Sequence, residues 1–167
     1  FKPVKSSKIL SIIIPSYNVA KYLKHGVDTI LNHKNANKIQ VIIVNDGSKD
    51  NTINVAKKLE SFYSPDNICI VDKPNGGHGS TINEGLKRAV GKYVRIMDGD
   101  DWVNNEDMEK LITILEKEDT DVVLTDYSED IAYTSVKDIK QIYQVMIPGK
   151  VYNFDELCYD GYGFEEY

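Results

Sequence analysis

The sequence predicts an α/β protein with a mainly parallel central sheet that is flanked by helices on both faces. Two observations predict this fold class. Short runs of β-branched residues alternate with segments whose apolar residues recur at helical spacing, and the strand runs are almost continuously apolar. Strands that are buried on both faces have such continuous runs, and parallel strands need crossover helices between them.

The first two strand-helix units are visible directly in the pattern. The apolar run Ile9–Ile14, closed by Pro15, predicts a buried strand, and Val41–Val44 predicts the second strand. Each run is followed by apolar positions that mark one face of a helix. These positions are Leu23, Val27, Ile30 and Leu31 in the first helix and Ile53, Ala56, Leu59 and Phe62 in the second.

The third and fourth units follow the same rule. Ile68–Val71 and Tyr93–Met97 predict strands, and Thr81 and Glu84 are spaced as a capping box that opens the third helix. The apolar positions of the third helix are Ile82, Leu86, Ala89 and Val90. The predicted start and apolar positions of the fourth helix are Asn104 or Asn105 as the cap, then Met108, Leu111, Ile112 and Leu115.

The regular pattern weakens after the fourth helix. Val122–Leu124 predicts a fifth strand, and the Tyr- and Val-rich segments within residues 131–152 are consistent with hairpin strands. No internal repeat and no long linker interrupts the chain. Its 167 residues suit one domain.

Composition excludes several classes of protein. With 41% hydrophobic residues the chain can support a packed core, so disorder is not expected. The formal net charge of −6 would not attract a polyanion, so no nucleic-acid partner is expected. The charge is uneven, however, because residues 1–97 carry 15 basic and 7 acidic side chains, whereas residues 98–130 carry 2 and 13.

Cysteine usage and hydropathy indicate the cytoplasm as the expected compartment. Cys69 lies inside an apolar run and far from Cys158, so a reduced, buried thiol is favoured over a disulfide or a zinc site. No run approaches the roughly 20 apolar residues of a membrane span, so no transmembrane segment is expected in this chain. The first residues lack a signal-peptide pattern.

Polar, turn-forming residues follow each predicted strand, and they should gather at one edge of the sheet. In open α/β sheets that edge, beyond the carboxyl ends of the strands, is where ligands bind. The segments that follow the four strands are Pro15–Asn18, Asn45–Ser48, Lys73–Ser80 and Asp98–Asp101. The sequence therefore predicts a binding site formed by these four loops.

The run Asp98–Asp101 allows two interpretations. Three carboxylates within four residues repel one another unless a cation neutralises them, and hard ions such as Mg²⁺ or Mn²⁺ prefer oxygen ligands. Gly99 would permit a tight turn and leave room for a ligand. The alternative is an acidic turn that precedes a helix N-terminus, where carboxylates are also favourable.

Three further positions each allow a functional and a structural interpretation. Asp46 either accepts hydrogen bonds from a nucleoside or caps the helix that begins near residue 50. Tyr17 either stacks on a nucleobase or packs at the sheet edge. The segment Gly76–Gly79 either cradles a phosphate or forms an ordinary turn, and its His78 is expected to be solvated.

Absent motifs narrow the function. The first strand is not followed by G-x-G-x-x-G, and no P-loop occurs, which disfavours dinucleotide dehydrogenases and P-loop NTPases. A nucleophile elbow G-x-S-x-G is also missing, which disfavours a hydrolase.

Taken together, four segments closely resemble the N-terminal, nucleotide-sugar-binding half of family 2 glycosyltransferases. They are Ile12–Asn18, Val41–Ser48, Asn75–Gly79 with Asn83, and Met97–Trp102, in the family's order. The resemblance covers about residues 8 to 127. It implies the GT-A (Rossmann-like) fold and the transfer of a sugar from a nucleoside diphosphate sugar, UDP most commonly, to an acceptor hydroxyl with inversion.

The resemblance also implies roles for individual residues. Pro15 and Tyr17 would line the base pocket, Asp46 would contact the base or ribose, and Gly76 and Gly77 would flank the nucleotide. The residues Asp98, Gly99 and Asp100 match the family's D-x-D motif. Asp98 would face the ribose or sugar and help to hold a metal, Mn²⁺ or Mg²⁺, which Asp100 would bind.

Two departures from the family pattern qualify this assignment. Asn45 precedes Asp46 where many members carry two acids. The general base, an Asp or Glu far downstream in the family, is expected beyond Tyr167, since Asp160, Glu165 and Glu166 do not match its setting. We therefore expect residues 1–167 to be one C-terminally truncated GT-A domain, with a nucleotide-sugar-binding core at 8–127 and the start of an acceptor-side region at 128–167.

The expected partners follow from the resemblance. They are a nucleoside diphosphate sugar and a saccharide or lipid-linked acceptor, as in polysaccharide or glycoconjugate synthesis, with membrane association possible for the full-length protein. The alternative is a fragment that binds nucleotide and transfers no sugar by itself. A sugar-1-phosphate nucleotidyltransferase is disfavoured, because its Arg- and Lys-containing glycine-rich loop does not follow the first strand.

Overall fold

The computed structural model describes residues 7–130, 137–140, 147 and 149–152. The chain forms two compact units, residues 1–118 and residues 119–167. The first unit contains a four-stranded sheet and four α-helices, and the second contains a two-stranded ladder. The two units are described separately below.

The first unit is built on a parallel sheet with the strand order β3-β2-β1-β4. The strands are β1 (Leu10–Ser16), β2 (Ile39–Asp46), β3 (Ile68–Lys73) and β4 (Tyr93–Ile96). The helices are α1 (Leu23–Leu31), α2 (Thr52–Tyr63), α3 (His78–Leu86) and α4 (Asn105–Leu115), with a short 3-10 helix at Ala36–Lys38. The predicted fold class is confirmed, and its helices follow the strands in alternation.

The order of the strands places helices on both faces of the sheet. The chain moves outward from β1 through β2 to β3 and then crosses back to β4, and right-handed crossovers in opposite directions lie on opposite faces. Accordingly, α1 packs against α2 and α4, while α3 crosses β1 and β2. Gly85 of α3 lies so close to β1 that a Cβ there would be 2.4 Å from Cγ2 of Ile13.

The core lies on the two central strands. Every residue of β1 is buried, and in β2 only Gln40 is partly exposed. The parallel register runs from Leu10 opposite Ile39 to Ser16 opposite Asn45. The two strands are buried because both faces are covered, which is why their apolar runs are nearly continuous.

Strand β1 continues two residues beyond its predicted end at Ile14. Pro15 lies within the strand, opposite Val44 of β2. On the other side, pairing with β4 ends at Ile13 opposite Ile96. A proline lacks the N–H that a ladder needs, and it is tolerated here because β1 has no strand partner on that side beyond Ile13.

Helix α3 begins three residues before the predicted capping box. Its N-cap is Gly77, with φ of 84°, and the Thr81 hydroxyl donates 2.5 Å to the carbonyl of His78 inside the first turn. Glu84 pairs with Lys87 and Arg88 instead of returning to the backbone at Thr81. The capping-box prediction is therefore wrong, whereas the predicted Asn104 cap of α4 is confirmed by its bonds from the amides of residues 106 and 107.

The predicted fifth strand at Val122–Leu124 is wrong. Residues 122–126 have no regular secondary structure, and Val122 and Leu124 are 72% and 54% exposed. Three apolar residues are fewer than a typical strand of about five or six, so the run does not determine a strand by itself. Instead, Tyr127–Asp130 (β5) pairs antiparallel with Lys137–Lys140 (β6), and the latter lies within the predicted hairpin region.

Among the residues that the structure describes, no helix is both long enough and apolar enough to cross a lipid bilayer.

Candidate functional site

The carboxyl ends of the four parallel strands form one edge of the first unit. Strands β1 and β4 are neighbours in the sheet although two further strands separate them in sequence. The strand order reverses between β1 and β4, because β1 is followed by β2 on one side and β4 lies on the other side. Open α/β sheets bind ligands beyond the carboxyl ends of the strands at such a switch point. All four sequence-predicted loops lie at this edge.

The loop after β1 presents Tyr17 to solvent. Pro15 is buried, whereas the Tyr17 side chain is 47% exposed. Asn18 adopts a left-handed conformation with φ of 57°, and its Oδ1 accepts a 2.8 Å bond from the amide of Lys49. Tyr17 therefore lies in a loop whose backbone is held by the next crossover.

The amides of residues 18, 19 and 20 donate three more hydrogen bonds from the loop after β1 to the segment after β2. The amide of Asn18 donates to the Ser48 hydroxyl, and that of Val19 donates to the Thr52 hydroxyl, both at 3.0 Å. Asp50 Oδ2 accepts from the amide of residue 20, and Oδ1 accepts from the amide of Thr52. Burial raises the pKa of Asp50, but its bonds from Thr52 and the backbone amides lower the pKa overall.

Asp46, the last residue of β2, is buried and bound by the glycine-rich loop. Its Oδ1 accepts from the amide of Gly76 and its Oδ2 accepts from that of Gly77, each at 2.9 Å. Lys73, the last residue of β3, forms an ion pair with Oδ1. Burial alone would raise the pKa of Asp46, but the bonds from Lys73, Gly76 and Gly77 hold the pKa below its ordinary value.

These contacts bear on two earlier alternatives. The amides of Gly76 and Gly77, which the sequence offered to a phosphate, are engaged by the carboxylate of Asp46. Asp46 does not cap helix α2, where Asp50 and not Asp46 accepts from the amide of Thr52. His78 is exposed at the first turn of α3.

The acidic loop after β4 has the opposite character. Asp98, Asp100 and Asp101 are all exposed, while Gly99 between them is buried. A Cβ on Gly99 would lie 2.9 Å from Cγ2 of Val19 and 3.1 Å from the carbonyl oxygen of Pro15. Glycine is therefore required for this loop to lie against the loop that carries Tyr17.

The carboxylates of the acidic loop repel one another. Partial desolvation, followed by the charges of Asp100 and Asp98, raises the pKa of Asp101. Within the described residues, no hydrogen bond or ion pair engages the carboxylates of Asp98 and Asp100. The charge of Arg95 opposes the rise in the pKa of Asp101, but Arg95 forms no ion pair with Asp98 or Asp100, so the loop presents two carboxylates that are unpaired within the described part of the chain.

Helix α1 packs against the end of the acidic loop and the residues that follow it. Gly26 permits close approach, since a Cβ there would be 2.7 Å from the carbonyl oxygen of Asp101. The rings of His25 and Trp102 are 5.5 Å apart, and the Thr29 hydroxyl accepts 3.2 Å from the amide of Val103. No local sequence pattern indicates the contact between His25 and Trp102, because the two residues lie far apart along the chain.

The donor set fits a divalent cation that also binds a ligand. No three His, Cys, Asp or Glu side chains in the described part of the chain converge as a ready-made metal site. Asp98 and Asp100 are exposed oxygen donors at the switch point, and Mg²⁺-type ions often bind one or two carboxylates together with substrate phosphates. The acidic loop is therefore suited to a metal whose coordination the ligand completes.

The structure brings the candidate residues to one edge and adds one that the sequence did not single out. Contacts join the first loop to the acidic loop and Asp46 to the glycine-rich loop. The candidate positions at this edge are Pro15, Tyr17, Asp46, Gly76, Gly77, Asp98, Gly99 and Asp100. Lys73 is the added residue, and the acids Asp160, Glu165 and Glu166 lie outside the described residues.

A solved structure shares this architecture. S. aureus TarS, residues 1–349 in complex with UDP-GlcNAc, matches with a TM-score of 0.59 and 27% identity. The match covers 65% of this chain and 31% of the TarS chain. The likeness to TarS, together with the parallel sheet and its flanking helices, places this domain in the GT-A class of glycosyltransferase folds.

The family follows from the sequence comparison. The model of glycosyl transferase family 2 matches residues 11–155, so the chain belongs to that family. An uncharacterized glycosyltransferase of Rickettsia prowazekii is 41% identical over 118 residues, which are 71% of this chain and 35% of the relative. The minor teichoic acid biosynthesis protein GgaB of Bacillus subtilis is 37% identical over 68% of this chain and 13% of its own length. The chain thus spans about a third of the first relative.

Proposed function

We propose that this chain binds a nucleoside diphosphate sugar, specifically a UDP-sugar, in the crevice between the loops after β1 and β4. The observation that carries the proposal is the acidic loop at the switch point, where Asp98 and Asp100 expose carboxylates that no hydrogen bond or ion pair among the described residues engages. The likeness to TarS, a protein solved with UDP-GlcNAc, supports a UDP-sugar as the donor.

The proposal includes the roles that the family resemblance implies for the binding residues. Tyr17 offers an exposed aromatic face to the base, and the buried Pro15 forms the floor beside it. Asp46 is directed toward the base or ribose, and the loop at Gly76 and Gly77 flanks the nucleotide. Asp98 contacts the ribose or the donor sugar, in a loop that Gly99 allows to lie close to Pro15.

A divalent cation, Mn²⁺ or Mg²⁺, belongs to this proposal. Asp100, assisted by Asp98, would hold the ion, since both present exposed carboxylate oxygens. The ion supplies Lewis-acid stabilisation of the charge that develops on the departing diphosphate.

The proposed reaction is an inverting transfer to an acceptor hydroxyl. The acceptor oxygen forms a bond to the anomeric carbon as the bond to the diphosphate breaks, and a general base takes the hydroxyl proton. We assign the role of base to none of the described residues. A saccharide or lipid-linked acceptor is supported by relatives such as GgaB, which is named for teichoic acid biosynthesis, and the chondroitin synthase of Pasteurella multocida.

Calorimetry of UDP binding tests the donor and the metal together. We expect UDP to bind more tightly with Mn²⁺ than without it, and the gain to disappear in Asp100→Ala. Asp107→Ala is the matched control, because Asp107 is an exposed acid that pairs only with the surface residue Lys110. Equal UDP affinity for the wild type with and without Mn²⁺ and for Asp100→Ala would contradict the metal assignment.

Sugar transfer is tested separately from binding. UDP release from UDP-sugars is measured in the presence of saccharide acceptors, with the Asp100→Ala variant as the blank. Turnover by the chain supports a transferase, whereas UDP binding without turnover supports the alternative of a nucleotide-binding fragment.

A further inference from the structure

A partly buried lysine side chain lies inside the glycine-rich loop. The side chain of Lys73 is 18% exposed, and its ammonium contacts three acceptors. It pairs with Asp46 Oδ1 and donates 2.8 Å to the carbonyl of Pro74 and 2.9 Å to the hydroxyl of Ser80. An ammonium has three donors, so this side chain has none left for a ligand.

The loop is wound closely around this ammonium. A Cβ on Gly76 would lie 2.9 Å from Lys73 Nζ and 2.7 Å from the Ser80 hydroxyl. On the other side, Asp46 accepts from both loop amides, at Gly76 and Gly77. Lys73 and Asp46 together therefore form hydrogen bonds to residues 74, 76, 77 and 80 of the loop.

We propose that Lys73 is a positioning residue of the nucleotide site, which acts through Asp46 and the glycine-rich loop and does not touch the ligand. The proposal rests on the proposed function, because it concerns the same site. Lys73 keeps the buried Asp46 carboxylate ionised and fixes its Oδ1, while Oδ2 accepts only the Gly77 amide among the described residues. Oδ2 is therefore the atom with acceptor capacity left for a ligand.

The contribution of the Asp46–Lys73 ion pair to the free energy of unfolding is not a sufficient reason for its presence. A buried ion pair costs desolvation, and well-packed apolar residues often replace such pairs without loss of stability. What a charged pair adds is one fixed arrangement of the carboxylate and of the loop amides that it binds. Such an arrangement favours ligand binding, because the carboxylate is already ionised and the loop is already ordered before the ligand binds.

UDP affinity of Lys73→Met is the first measurement. Methionine keeps the apolar stem and removes the charge, so we expect a loss of about tenfold or more by calorimetry, as for a hydrogen bond to a charged group. Lys58→Met is the control, because Lys58 is exposed on α2, away from the sheet edge. If Lys73→Met does not fold, Lys73→Gln is measured, which keeps a donor without the charge.

The pH profile distinguishes a positioning role from a merely structural one. In the wild type Lys73 and the two amides hold the pKa of Asp46 below its ordinary value, whereas in Lys73→Met the amides alone oppose burial and the pKa rises. Affinity in the variant should therefore recover toward higher pH. The other titratable side chains of β2, β3 and the glycine-rich loop are Cys69, Asp72 and His78. Burial raises the pKa of Cys69, and Asp72 accepts from Asn45, so both proteins carry His78→Gln to remove the remaining group.

A measurement without ligand separates this inference from the proposed function. Amide hydrogen exchange at Gly76 and Gly77 should be at least about tenfold faster in Lys73→Met than in the wild type. If the wild type does not bind UDP, the proposed function fails and the exchange result alone decides the role of Lys73. Unchanged exchange, unchanged UDP affinity, or a loss of affinity that does not recover at the higher pH would each overturn the proposal.

Discussion

Two loops at the same sheet edge use aspartate in opposite ways. Asp46 is buried, and its pKa is lowered by a lysine and two amides that the protein supplies. Asp101 belongs to an exposed acidic loop, and its pKa is raised by partial desolvation and by its neighbours Asp100 and Asp98. The difference indicates that the Asp46 carboxylate is satisfied by partners within the protein, whereas Asp98 and Asp100 in the acidic loop have no hydrogen-bond or ion-pair partner among the described residues.

The largest expected effect comes from removing the Asp46 carboxylate, which binds the glycine-rich loop and Lys73. Asp46→Ala leaves the Lys73 ammonium buried without its counter-charge, so we expect a loss of about 3–5 kcal/mol in the free energy of unfolding. Asp100→Ala should change stability by less than about 0.5 kcal/mol. Urea unfolding of the two variants in metal-free buffer measures both, and equal effects would refute the comparison.

The second prediction concerns the addition of a divalent cation and UDP to the acidic loop. Mn²⁺ and UDP together should stabilise the wild type by about 2.7 kcal/mol when the free ligand is at roughly a hundred times its dissociation constant. Asp98→Asn/Asp100→Asn should lose most of this gain, since both metal donors are then neutral. Thermal unfolding with and without the ligands provides the measurement, and a full gain in the double variant would show that the metal binds elsewhere.

The third prediction concerns the close packing of the glycine-rich loop. Gly76→Ala places a Cβ against Lys73 and Ser80, which are held by hydrogen bonds and cannot move freely, so we expect a cost of about 1–3 kcal/mol. Gly79→Ala is the matched control, because a Cβ there meets no atom within 4 Å. Chemical unfolding of both variants is sufficient, and a neutral Gly76→Ala would mean that the loop is looser than its contacts indicate.

The smallest expected effect is a pH-dependent gain at Asp101. A carboxyl whose pKa is raised by folding destabilises the native state where it is ionised, and this cost vanishes as the pH falls below its unfolded value. Asp101→Asn should therefore stabilise the metal-free protein by a few tenths of a kcal/mol at about pH 7, and not at about pH 3, because the group is partly exposed. Paired unfolding curves at the two pH values check the sign, which a destabilised variant at pH 7 would contradict.

Much of the fold is determined by local patterns and was therefore predictable. The apolar stripes of α1 and α4 and the apolar runs of β1 and β2 have the periodicity that burial requires, whereas Phe62 of the predicted α2 stripe is 79% exposed. The start of α3 was not predictable in this way, because the amides of Gly76 and Gly77 are bound by Asp46 from another strand. The run Val122–Leu124 failed because a strand needs a partner, and no local pattern specifies one.

The same distinction applies to the candidate site. The order of strands and loops was sufficient to place Tyr17, Asp46 and the acidic residues at one edge, since parallel strands end on the same side. The sequence pattern could not predict the ion pair between Asp46 and Lys73, because the pair depends on the strand register that places these residues opposite each other. The roles of the site residues remain predictions for the binding measurements.

Trp102 is the only tryptophan of the chain, and its indole ring lies 5.5 Å from the imidazole of His25. Light at the red edge of the ultraviolet absorption band excites indole but not the eleven tyrosines. The emission of the whole chain then comes from one ring, half-exposed, immediately after the acidic loop. The protein consequently carries its own optical reporter beside the acidic loop, and its spectrum can be followed in real time without an attached dye.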